Sequence, residues 1–83
     1  MTYLARLPAD EAIVDMIRSG VNTIPGIASK IYGRLPEADW IAAKAKVLRR
    51  LNMLSKYRIV RKTERTIQLG YGRNVAKVWE VVE

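Results

Sequence analysis

Apolar residues recur at helical spacing through the first two thirds of the chain and give way to β-forming residues interleaved with charge in the last third. Ile13, Met16 and Ile17 lie three and four positions apart, the mark of one buried helical face. Pro8, Ala9, Asp10 and Glu11 place a proline and two acids where such a helix begins, and Gly20 offers its stop. The pattern predicts a first helix over residues 9–19, with residues 1–8 as an N-terminal extension. Val21 and Asn22 then suit a short extended connector. Thr23 is a candidate N-cap, and Pro25 fits a first turn, where no intrahelical donor is needed. Ile24, Ile27, Ala28 and Ile31 form a one-sided stripe that Gly33 ends, which predicts a second helix over residues 24–32.

Leu35 and Pro36 break the chain, and a third helix is predicted over residues 37–55, with Glu37 and Asp39 near its positive end. At about 100° per residue, Trp40, Val47, Leu51 and Leu54 share one face, flanked by Ala43 and Leu48, and this face is expected to be buried. Ala42, Ala45, Lys46, Arg49, Met53 and Lys56 gather on the opposite side, with Arg50 on the boundary. Such a mixture of small and basic residues lets a helix lie close against another surface. Beyond Lys56, Ile59, Val60, Thr63, Thr66 and Ile67 favour one strand, and Val75, Val78, Trp79, Val81 and Val82 a second. Between them, Gly70-Tyr71-Gly72-Arg73-Asn74 supplies residues that tolerate the positive backbone angles of a hairpin turn. A hairpin over residues 58–82 follows, with its tip at these five residues.

The chain has 83 residues, enough for one domain with a modest core, and its 49% apolar content is that of a folded protein. No run of 18 apolar residues occurs, and the segment from Met1 to Leu7 lacks the charged start and apolar stretch of a signal peptide, so a cytoplasmic protein with no membrane partner is expected, with a nuclear one as the alternative. There is no cysteine and no histidine, which removes thiolate and imidazole metal ligands, cysteine nucleophiles and imidazole bases. Neither an acidic pair nor a Walker-type glycine-rich loop is present. No catalytic residue, metal or cofactor is therefore assigned, and the chain is not expected to be an enzyme.

Charge is distributed unevenly. Residues 1–43 carry four bases against five acids, whereas residues 44–83 carry eleven bases against three acids. A net charge of +7 for the whole chain thus arises entirely in the second half. Asymmetry of this kind suits a polyanion, although a basic half is also what a well-solvated surface looks like.

The sequence Val47-Leu48-Arg49-Arg50-Leu51-Asn52-Met53-Leu54-Ser55-Lys56-Tyr57-Arg58-Ile59-Val60-Arg61 resembles the recognition helix and first wing strand of winged helix-turn-helix regulators. Three helices followed by a β-hairpin is also that family's element order, and the likeness spans roughly residues 9–82. The resemblance implies an α+β winged helix-turn-helix fold and a small transcriptional regulator that binds double-stranded DNA, with the third helix in the major groove and the hairpin tip on the backbone or in the minor groove. Two departures stand out. The family commonly places glycine before the aliphatic pair that opens the wing, where this chain has Arg58; and the stretch from Ala28 to Val47 is long, implying either a longer turn or an N-terminally extended third helix.

Under this resemblance Lys46 and Arg49 reach the bases, since arginine pairs bidentately with guanine N7 and O6. Arg50 and Lys44 contact phosphates, with a lysine snorkelling past the core as the other role open to Lys44. Thr23 offers a hydroxyl and free backbone amides to a phosphate, or serves as a plain cap. Arg73 inserts at the wing tip, and Tyr71 stacks on a sugar or simply fills the turn. Arg58, Arg61, Lys62 and Arg65 straddle the first wing strand, where bases also protect an edge from aggregation. Met53 is read as a packing or partly exposed residue, with DNA contact as a lesser option, and Trp40 and Trp79 as core aromatics.

Other partners remain open. The same fold serves as a protein-interaction module within larger complexes, and this surface would suit an acidic protein. Single-stranded nucleic acid is less well matched, because no tryptophan or phenylalanine is interleaved among the bases. A homodimer is a further arrangement, for which Thr2 to Leu7, with Tyr3 and Leu4, is the spare apolar element.

Overall fold

The computed structural model describes residues 7–68 and 75–82. Three helices, α1 (Asp10–Arg18), α2 (Ile24–Tyr32) and α3 (Glu37–Lys56), precede two antiparallel strands, β1 (Val60–Gln68) and β2 (Val75–Val81). This is an α+β layout consistent with a winged helix. Helix α3 starts directly after Pro36 and runs for 20 residues, so the long stretch before Val47 is taken up by extension of the helix.

The core forms where one stripe from each helix meets the base of the hairpin. Ile13 and Ile17 of α1, Ile27 and Ala28 of α2, and Ala43, Val47, Leu51 and Leu54 of α3 close on Val60 and Trp79. Trp40 is only partly buried at its rim. Leu48 departs from the expectation, being 41% exposed. On the helical wheel it lies roughly 60° beyond Leu51, past the arc that the other elements cover. Burial also raises the pKa of the Tyr32 phenol, at the end of α2, above 10.0.

Local chemistry sets the helix ends. The Thr23 side chain accepts a hydrogen bond from the Gly26 amide at 3.1 Å, capping α2. Helices α1 and α3 close alike: Val21 N–H donates to Met16 C=O and Gly20 N–H to Ile17 C=O in the first, Ile59 N–H to Leu54 C=O and Arg58 N–H to Ser55 C=O in the second. Such paired bonds require a left-handed residue just past the cap. Gly20 meets this with φ 109°, and Arg58 meets it with φ 62° despite its side chain. The arginine thus occupies the conformation for which the family commonly uses glycine.

The connector before α2 is held to the sheet, since the Trp79 amide donates to the Asn22 carbonyl at 2.8 Å. Within the hairpin, Val60 pairs with Val81 and Lys62 with Trp79, but Thr66 pairs with Lys77, so β1 gains two residues over β2. The Thr63 hydroxyl staples this bulge by donating to the Val78 carbonyl at 2.8 Å while accepting from the Arg65 amide at 3.1 Å. Beyond the bulge, residues 64–68 of β1 are exposed, as are Val75 and Lys77 opposite them. Successive strand residues point to opposite faces, so this part of the hairpin projects with solvent on both sides.

Candidate nucleic-acid interface

Helix α3 buries the side bearing Val47, Leu51 and Leu54, which leaves Ala42, Ala45, Arg49, Met53 and Lys56 in solvent. The wheel thus located the open face, although Lys46 on its margin is half-buried. Lys46, Arg49, Arg50 and Met53 line a shallow hollow of about 310 Å³ together with Leu7, which packs from the N-terminal side. Three of the expected site residues are therefore neighbours on one surface.

Their circumstances differ. Arg49 is exposed and makes no hydrogen bond or ion pair with any described residue. Arg50 instead donates from Nη1 to Asp10 Oδ1 at 2.9 Å, tying the middle of α3 to the first turn of α1. Both side chains are about two-fifths exposed, at 37% and 43%, so this pair contributes at most about 1 kcal/mol. The Lys44 ammonium sits 5.6 Å from the centre of the Trp40 ring, a cation–π contact at the edge of the core. That placement matches the snorkelling role.

Thr23 is buried, and its hydroxyl is occupied by the Gly26 amide. The surface beside it is open: Asn22, Gly26, Ser29 and Lys30 border a hollow of about 530 Å³ that Ile67 of β1 also lines. The start of α2 and the hairpin thus face the same space. Tyr71 and Arg73 lie outside the described residues.

Acids on the hairpin neutralise much of its charge. Glu80 takes both Arg61 and Arg65, and Glu64 takes Lys77 at 3.2 Å. Arg58, Lys62 and Lys56 have no such acidic partner among the described residues and are exposed. Among the described residues, exposed bases without an acidic partner therefore lie on α3, at the turn into β1 and at Lys62, with Lys30 and Arg34 around the end of α2. Sequence reasoning treated the bases of β1 alike, because only the register across the hairpin reveals which of them meets Glu80.

Ile41 was not singled out from the sequence, yet it is 58% exposed and shares a stripe with Ala45, Leu48 and Asn52. Spacing of four, seven and eleven residues from Ile41 is the signal that would have found it. No family model matches this chain, and no curated protein or solved structure matches it significantly.

Proposed function

We propose that this chain is a double-stranded DNA-binding domain that acts as a small cytoplasmic transcriptional regulator, with α3 in the major groove and the hairpin against the backbone or minor groove. The observation that carries this reading is the exposed Arg49, without a partner among the described residues, on a basic face of α3 next to a hairpin whose outer half is solvated on both sides. A projecting two-stranded ribbon adds little to a core and is marginal alone; a groove or backbone gives it a surface to lie on. Lys46 and Arg49 are assigned to bases, and Lys44 and Arg50 to phosphates, with Lys44 leaving the Trp40 ring and Arg50 exchanging Asp10 for a phosphate oxygen. Thr23 acts through the α2 terminus that it caps.

Selection of bound sequences from a random duplex pool tests this reading. A regulator enriches a defined site, Arg49→Ala relaxes preference at one base pair, and Arg73→Ala weakens all sequences alike. Failure to enrich any sequence, with no affinity for duplex, contradicts it.

A second reading, a protein-interaction module, is favoured by the apolar residues Ile41, Leu48 and Met53 on the open face of α3. Capture of one stoichiometric acidic protein, with no duplex affinity, would support it.

A further inference from the structure

The open face of α3 divides into two chemically different halves. From Lys46 onward it carries Arg49, Asn52 and Lys56, all able to donate hydrogen bonds, beside the less exposed Leu48 and Met53. The half before Lys46 exposes Ala38, Ile41, Ala42 and Ala45, with Glu37 at the first turn. Ile41 is the most exposed of the large apolar residues on this helix, at 58%. None of these four side chains can hydrogen-bond to a base edge, yet a major-groove helix brings its N-terminal residues to the base edges.

Resting on the DNA-binding reading above, we infer that α3 reads thymine 5-methyl groups through Ile41, with Ala42 and Ala45 permitting the close approach. The thymine methyl is the one apolar feature that an unmodified base pair presents in the major groove. Lys44 and Arg50, assigned above to phosphates, hold the helix and its apolar patch against the groove floor. An exposed isoleucine there gains affinity only where a methyl group meets it, so apolar contact selects sequence without a hydrogen bond. Ile41 precedes Arg49 by eight residues, roughly 12 Å along the helix axis. The thymine step therefore lies about three to four base pairs from the guanine that Arg49 contacts.

The test uses the full chain and the best duplex from selection, with each thymine replaced in turn by deoxyuridine, which removes the methyl and keeps the pairing. Replacement at one or two positions, about three to four base pairs from the Arg49 guanine, is expected to weaken binding about threefold to fivefold. Ile41→Ala, which alters a solvent-facing side chain and keeps the helical circular dichroism, should reduce that penalty to less than about twofold. If the selected duplex binds selectively but every deoxyuridine duplex binds like the parent, the methyl readout is wrong while the DNA reading stands. If no duplex binds selectively at low salt, both fall.

Discussion

At the scale of single residues, two positions hold backbone geometry that their sequence makes unequal. Gly20 and Arg58 do the same work after α1 and α3, but an L side chain in the left-handed region costs about 1 kcal/mol that glycine avoids. Part of this is offset because glycine leaves the unfolded chain freer. Arg58→Gly is expected to stabilise the fold by about 0.5–1 kcal/mol, seen as a melting temperature raised by a few degrees. An unchanged or lower melting temperature would mean that the arginine side chain contributes packing that offsets its backbone cost. Gly26 shows the opposite constraint. A Cβ there would stand 2.8 Å from the Thr23 hydroxyl oxygen, so Gly26→Ala should break the α2 cap and lower stability by about 1 kcal/mol in thermal unfolding, despite the better helix propensity of alanine. Thr23, Gly20 and Gly33 were readable in advance because cap and stop residues declare themselves by type. Arg58 was marked only as a departure from the family pattern. Its left-handed φ follows from the turn that Ile59 and Leu54 must close, not from any preference of arginine.

Elements show where periodicity carries information and where it stops. The positions of all three helices were legible from apolar spacing, and the buried face of α3 emerged correctly except for Leu48 and, in part, Trp40. A wheel gives the direction of each side chain but not the width of the arc that neighbouring elements cover, and Leu48 lies past that edge. The Asp10–Arg50 pair was invisible for a related reason, since it joins residues 40 apart on helices whose docking no local pattern specifies. Arg50→Gln tests the role proposed for Arg50. Removing the guanidinium charge should flatten the salt dependence of duplex binding by about one counterion, and should lower stability by at most about 1 kcal/mol. Equal salt slopes for the two proteins would place Arg50 in the scaffold alone. In the hairpin, the strands were legible but the two-residue bulge was not, because Thr63 reads as one more β-former. Thr63→Val keeps the shape and removes both hydroxyl bonds. Faster hydrogen exchange at the Arg65 amide, with core amides unchanged, is the expected result.

Over the whole molecule, charge is sorted twice, first by the chain and then by the fold. The second half of the sequence holds the positive excess, and ion pairing across the hairpin and between α1 and α3 then neutralises part of it. Among the described residues, much of what remains exposed without an acidic partner lies on α3 and at the start of the hairpin, with Lys30 and Arg34 around the end of α2. Sequence alone showed the excess; its final location depends on cross-strand register and helix docking. Binding driven by this surface must release counterions, so its salt dependence counts the phosphates engaged. The most direct measurement is titration of the full chain into a duplex at several salt concentrations. With three to five phosphates neutralised, the logarithm of the binding constant should fall linearly against the logarithm of salt with a slope of about −3 to −4.5, and Arg49→Ala should weaken binding to the preferred sequence. Absence of duplex binding at low ionic strength, or affinity that does not change with salt, would contradict the account.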